Sequence, residues 1–156
     1  MAAKQRLENY LKEEGVWCAT ATHPVAYTAQ EVAAAQHVPG KQLAKVVLVD
    51  ADGKLLMLVL PASCRVDFPA LKSLLKAKKV RLAREEEFSG TFTDCEVGAM
   101  PPFGNLYGLP VHLDSSLAEV PDMVFKVGSH TTSMKVKVAD FKRLANPQIA
   151  PFAVRL

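Results

Sequence analysis

The amino-acid sequence predicts an α/β fold in a single domain, with a mixed, mostly antiparallel β-sheet surrounded by short helices. Three observations carry this. Two apolar runs, 43–49 and 55–60, flank Asp52-Gly53, the signature of a tight β-hairpin. Hairpin signals of this kind outnumber strand–helix–strand alternation, which favours antiparallel pairing. At 156 residues the chain fits one domain, spanning 1–156, with no repeat, low-complexity tract or linker to divide it.

In order, residues 2–14 read as an amphipathic helix, with Leu7, Tyr10 and Leu11 at helical spacing and Gly15 as the stop. Val16–Thr22 is a short strand ended by His23-Pro24, because the residue before a proline is driven to extended geometry. Thr28-Ala-Gln-Glu31 forms a capping box that opens a helix to about Gln36. The hairpin strands come next, and Pro61 ends the second. Asp67 caps a helix to about Ala77, with Phe68, Leu71, Leu74 and Leu75 expected inward. Val80–Ala83 reads as a strand and 84–88 as a helical turn. From Ser89 to Pro110, glycines and prolines exclude regular structure. Strands resume at Val111–Leu113, Met123–Val127 and Met134–Val138. Asp140 then opens a last helix, and Pro147 and Pro151 break the C-terminal segment.

Composition narrows the function classes. Hydrophobic residues make up 49% and charged residues 22%, ordinary for a globular protein. No apolar run approaches the ~20 residues that span a bilayer, and the N-terminus lacks a signal-peptide core, so the expectation is a cytoplasmic protein with no membrane partner. Cys18, Cys64 and Cys95 make neither a disulfide framework nor a zinc spacing. His23, His37, His112 and His130 match no metal motif, so no metal is expected. A net charge of +3 permits nucleic-acid contact without demanding it.

Four features carry possible chemistry. Lys45 alternates with Leu43, Val47 and Val49 on one face of its strand, where a valine would be expected. Strand periodicity leaves two readings open: a stem laid on apolar surface with its ammonium in water, or a lysine on a pocket floor that neutralises an anion. In the loop Gly98-Ala99-Met100-Pro101-Pro102, glycine permits close backbone approach, and the prolines stiffen the loop while removing competing N–H donors. Gly128-Ser129-His130 follows a strand, where a histidine can orient a substrate group or simply bond the loop. Lys72, Lys76, Lys78, Lys79, Arg81 and Arg84 form a basic series with no acid among them, which fits a solvated face or a phosphate-tracking band. No local motif marks a Ser-His-Asp arrangement.

In their order along the chain these residues resemble the YbaK-like, prolyl-tRNA synthetase-associated domain family of aminoacyl-tRNA deacylases. The matching features are His23 followed by Tyr27, Lys45-Val-Val-Leu-Val, Val66-Asp-Phe-Pro-Ala-Leu, Val80-Arg-Leu-Ala, the Gly-x-x-x-Pro loop at 98–102, a strand ending in Asp114, and Gly128–His130. The resemblance covers nearly the whole chain. It implies the family's editing-domain fold and a freestanding trans-editing enzyme of translation fidelity, which hydrolyses the ester of a mischarged aminoacyl-tRNA. It also implies no metal, no cofactor and no protein nucleophile. Lys45 would hold the acceptor end, and Gly98 and Pro102 would frame a loop presenting backbone groups to the scissile carbonyl. His23, Tyr27, Ala99, Met100, Pro101, Gly128, Ser129 and His130 would line the substrate site. The expected partner is the tRNA acceptor end, with an aminoacyl-tRNA synthetase as a further candidate. Val46 stands where several relatives carry Asn or Thr, which bears on amino-acid specificity; Met100 and His130 are the first candidates for setting pocket size.

Two other classes compete. A non-catalytic module would bind the tRNA end or a synthetase without hydrolysis. Alternatively, a desolvated Lys45 would act as a Schiff-base nucleophile toward an abasic sugar aldehyde.

Overall fold

The structure is a computed structural model that describes residues 2–24 and 39–156. The Thr28 capping box and its helix, together with Tyr27 and His37, lie outside the described residues.

Helix α1 (Ala3–Glu13) buries Ala3, Leu7 and Leu11 along one stripe. Strand β1 (Cys18–Thr22) is next. Strands β2 (Ala44–Ala51) and β3 (Lys54–Pro61) make the expected hairpin. Its two turn residues, Asp52 (φ 51°) and Gly53 (φ 86°), are both left-handed, as a two-residue turn matched to strand twist requires. The Asp52 carboxylate also accepts the Lys78 and Lys79 amides, fastening the hairpin tip to the segment before β5 (Val80–Leu82).

Between these lie β4 (Cys64–Val66) and helix α2 (Phe68–Leu75), capped by the Asp67 carboxylate accepting from the Ala70 amide at 3.1 Å. The helix stops at Leu75 rather than Ala77, because Lys76 adopts a left-handed conformation (φ 53°) and closes it. Leu74, expected inward, is 44% exposed, so the buried stripe is narrower than the leucine spacing implies.

After α3 (Glu85–Phe88) and a 3₁₀ turn at Gly104–Tyr107 come β6 (Val111–Asp114), α4 (Ser115–Ala118), β7 (Asp122–Lys126) and β8 (Thr132–Lys137). Helix α5 (Val138–Ala145) starts two residues before Asp140, which sits in its first turn instead of capping it. The chain ends in β9 (Gln148–Ala150) and β10 (Ala153–Arg155). The sequence signals for β4, β9 and β10 are too short to register, and Pro147 and Pro151 mask the last two.

A five-stranded sheet runs β5-β2-β3-β6-β9, a three-stranded sheet β1-β8-β7, and a ribbon β10-β4. Among the described residues, five of the seven strand pairings are antiparallel; β3-β6 and β6-β9 are parallel. The main core fills the space between the two large sheets and α1, where Phe103 packs edge-on against Phe125 and Phe141 at 5.9 and 5.1 Å. A second core, around Leu58, Leu60, Leu71 and Phe152, lies on the other face of β2 and β3. Ala44, Val46 and Leu48 face the first core, and Val47, Val49 and Ala51 face the second.

Candidate active site

Among the described residues, one backbone bridge joins the two large sheets. Leu43 and Val124 form a parallel bridge, in which the Val124 amide donates to the Gln42 carbonyl at 3.0 Å. Lys45 and Lys126 each lie two residues beyond the bridge. Alternation puts both on the side of the joined strands away from the main core.

Lys45 is half-buried, and among the described residues no carboxylate comes within ion-pair distance of it. Burial pushes its ammonium below the ordinary value of 10.5, with the nearby Cys64 sulfur opposing the shift. Intermediate burial fits either a stem laid on apolar surface with its ammonium at the rim or a lysine on a pocket floor.

The loop from Gly98 to Pro102 and the segment from Gly128 to His130 are one docked unit. The Gly128 amide donates to the Ala99 carbonyl and the Glu96 amide to the Gly128 carbonyl, both at 2.8 Å. Gly128 has φ 85°, and a Cβ there would stand 2.9 Å from the Ala3 Cβ, so only glycine fits against α1. Gly98 (φ 82°) lies against the His130 ring, 3.5 Å from an added Cβ to Cε1. His130 donates its backbone amide to Glu96 Oε2 at 3.0 Å. Its ring Nε2 meets the Val97 carbonyl at 2.7 Å, and its Nδ1 meets the Lys126 ammonium at 3.0 Å. A carbonyl can only accept, so Nε2 carries the proton and Nδ1 is left to accept from Lys126. The ring is held in one tautomer from both sides.

Within the loop, the Ala99 amide donates to the Glu96 carbonyl, and Pro101 and Pro102 have no N–H. The Gly98 and Met100 amides donate to no described residue. Ala99, Pro101 and Pro102 are buried, and Met100 turns into the main core while also edging a groove of about 180 Å³ with Phe88, Phe92 and Val97. Cys95, just before the loop, is no nucleophile at neutral pH, since burial pushes its thiol up to about 12.

His23 is buried, and both ring nitrogens are engaged: Nδ1 with the Pro24 carbonyl and Nε2 with the Ser133 hydroxyl, each at 2.8 Å. Its amide donates to the Thr131 carbonyl, tying the end of β1 to the same hairpin. The Ser129 hydroxyl is within hydrogen-bond reach of Thr131 Oγ1 and donates to Thr132 Oγ1, stapling the turn. The structure therefore gathers His23, Gly98–Pro102 and Gly128–His130 around the β7–β8 connection. Lys45 stands on the neighbouring strand, and no hydrogen bond among the described residues joins it to the loop.

Lys126, the partner of His130 Nδ1, is a residue that sequence reasoning missed. Its signal was of the kind that marked Lys45: a lysine inside an apolar strand, here between Phe125 and Val127, and only 8% exposed. Of the six-residue basic series, the two arginines are paired with acids. Arg81 makes two bonds to Glu87, at 2.7 and 2.8 Å, and Arg84 pairs with Glu86 and Glu87. Among the described residues, no group of three His, Cys, Asp or Glu is arranged to hold a metal ion, and no helix is long and apolar enough to cross a membrane.

Comparison with known proteins supplies the family. The chain is 28% identical over 153 residues to the multifunctional Ser/Thr-tRNA deacylase ProXp-y of Escherichia coli, covering 95% of this chain and 91% of that protein. It is 34% identical over 124 residues to a proline–tRNA ligase of Solidesulfovibrio magneticus, covering 79% of this chain but spanning only 21% of the ligase. A solved structure described as a candidate trans-editing enzyme for prolyl tRNA synthetase superposes with a TM-score of 0.85 at 20% identity, covering 99% of this chain and 98% of that one; it speaks for the fold. The model of the aminoacyl-tRNA editing domain matches residues 23–144, and the chain belongs to that family.

Proposed function

We propose that this protein is a trans-editing aminoacyl-tRNA deacylase, which hydrolyses the ester between a wrong amino acid and the terminal adenosine of a tRNA. The observation that carries the reading is Lys45, a half-buried ammonium with no carboxylate partner among the described residues, beside the join of the two sheets. Family membership and near-full-length similarity to a Ser/Thr-tRNA deacylase support it.

In this reading Lys45 holds a phosphate or polar group of the acceptor end. The Gly98 and Met100 amides are the loop's available donors for the oxygen that gains charge when water attacks the ester carbonyl. An aminoacyl ester is already activated, so positioning and backbone donors supply most of what hydrolysis needs. Gly98, Ala99, Pro101 and Pro102 shape the loop, while Gly128, Ser129 and His130 brace it. Met100 and His130 bear on pocket size. His23 serves by holding the end of β1, and Tyr27 completes the proposed substrate site. The acceptor end is the principal partner, and a synthetase is a further one.

The test is release of amino acid from a panel of alanyl-, cysteinyl-, seryl- and threonyl-tRNAs. Hydrolysis of at least one by wild type, reduced on Lys45→Ala, is expected. Failure across the panel with retained tRNA binding would instead identify a non-catalytic module. The lowered proton affinity of Lys45 also suits a Schiff-base nucleophile. A Lys45-dependent adduct trapped by borohydride on an abasic oligonucleotide would establish that chemistry in place of ester hydrolysis.

A further inference from the structure

We propose that a cleft at the entry of β2 is a subsite for a backbone phosphate of the nucleic-acid 3′ strand, held by Lys41, Arg155 and the Ser63 hydroxyl. The cleft encloses about 390 Å³ between the 39–41 turn, the turn after β3 and the C-terminal strand β10. The inference rests on the deacylase reading for the identity of the strand that enters.

Charge is the first argument. Among the described residues that line the cleft, the charged ones are cations, Lys41 and Arg155, and both are exposed. Neither makes an ion pair or side-chain hydrogen bond with any described residue, unlike Arg81 and Arg84 a few strands away. The nearest acid in sequence, Asp114, is withdrawn from it. It is 3% exposed, with Oδ1 accepting the Phe152 and Ala153 amides and Oδ2 the Ser116 amide and hydroxyl. Because the Ser116 proton is spent there, the hydroxyl donor left in the cleft is that of Ser63. Two cations and one hydroxyl, with no carboxylate among the described lining residues, suit a phosphodiester; Arg contributes a planar pair of donors matched to its two free oxygens.

Construction is the second argument. The Phe152 and Ala153 amide bonds to Asp114 also pin the start of β10. The Leu156 amide donates to the Ser63 carbonyl at 3.0 Å, fixing Arg155 against the opposite rim. Gly40 backs onto Ser63 so closely that an added Cβ would lie 3.4 Å from the serine Cβ. Three segments remote in sequence are thus locked into one rim.

Position is the third. Pro61 pairs with Ala44, the neighbour of Lys45, and the Cys64 sulfur on the cleft wall lies within electrostatic reach of the Lys45 ammonium. A strand whose terminal group reaches Lys45 would pass its preceding phosphates over this cleft.

The test uses the full chain carrying Arg155→Gln and Lys41→Gln, singly and together, with Arg155→Lys as the charge-preserving control. Fluorescence anisotropy with an uncharged single-stranded RNA ending in CCA reads binding independently of catalysis. The double variant is expected to bind about tenfold more weakly at low salt, with the log–log salt slope reduced by roughly 0.7, the share of one phosphate contact on a single strand. Arg155→Lys should recover part of the loss. In hydrolysis assays, the rise in KM for mischarged tRNA should exceed that for an aminoacyl-adenosine, which has no phosphodiester, at least fivefold. Unchanged RNA affinity and salt slope, or equal losses on the two substrates, would overturn the subsite. So would millimolar inorganic phosphate that protects Arg155 from modification without displacing RNA. If wild type hydrolyses nothing, the deacylase reading fails while the anisotropy arm still decides this one.

Discussion

The Lys126 ammonium donates to Nδ1 of His130 at 3.0 Å, while the other ring nitrogen donates to the Val97 carbonyl at 2.7 Å. A single imidazole thus links strand β7 to the residue before Gly98, adding a side-chain tie to the Gly128–Ala99 and Glu96–Gly128 backbone bonds that hold the loop. Replacing Lys126 by methionine keeps the stem and deletes the donor. Deacylation is expected to fall about 10- to 100-fold, mainly in kcat, because a loop shifted by a fraction of an ångström misplaces its amide donors. Lys126→Arg should recover part of the rate. A variant that melts like wild type and hydrolyses at the wild-type rate would show that the bond does not position the loop.

Lys45 has a different part, since no described carboxylate engages it. Lys45→Ala is expected to lower kcat/KM for mischarged tRNA by roughly 10²- to 10³-fold, the scale of losing one electrostatic contact in a reacting site. Stability should scarcely change or improve slightly, because a desolvated charge is removed. The cationic role is present at low pH and is lost as pH rises through the folded value, which lies below 10.5. Lys45→Arg, which stays charged, should therefore flatten the alkaline limb of the pH–rate profile. A wild-type limb retained in Lys45→Arg would assign that titration to another group.

The contrast between the two lysines shows where the sequence was legible. The β2–β3 hairpin, the Asp67 cap and the break at Gly98–Pro102 are local signals, written in residues a few positions apart, and the fold obeys them. Lys45 stood out because its strand is long and apolar. Lys126 sits in a five-residue strand, where one lysine barely disturbs the pattern, and its meaning depends on a histidine across a turn. Asp114 marked the end of a strand in the sequence, but its four donors come from Ser116, Phe152 and Ala153, the last two 38 and 39 positions away. Parallel pairing of β6 with β3 and β9 was equally hidden, since register between remote strands leaves no local trace.

Gly128 gives a prediction about stability rather than rate. Alanine there meets two obstacles, a left-handed φ of 85° and the Ala3 Cβ at 2.9 Å. A few tenths of an ångström of relief would require α1 to move off the main core. Gly128→Ala is expected to cost about 1–3 kcal/mol, read as a shift in urea midpoint. Adding Ala3→Gly should return part of that loss, by removing the clash and leaving only the backbone strain. A double variant no more stable than Gly128→Ala alone would mean that φ, rather than the contact with α1, sets the requirement.

His112 lies on β6, paired with Leu58 on one side and Gln148 on the other, and is 8% exposed. Burial in this sheet pushes its pKa below the ordinary 6.5, because the charged ring loses its hydration. Linkage gives the sign: the unfolded chain binds the proton more readily than the folded one. The neutral ring's share of stability is complete above 6.5 and is lost as pH falls from there through the lower folded value. The loss is at most about 1.4 kcal/mol per pH unit, the limit for one proton. His112→Leu keeps an apolar side chain on the strand and removes the titration, so its urea midpoint should fall less steeply than wild type between neutral pH and pH 5. Carboxylates contribute equally to both proteins, and the difference between the curves isolates His112. Parallel curves would mean that His112 is protonated as easily in the folded chain as in the unfolded one.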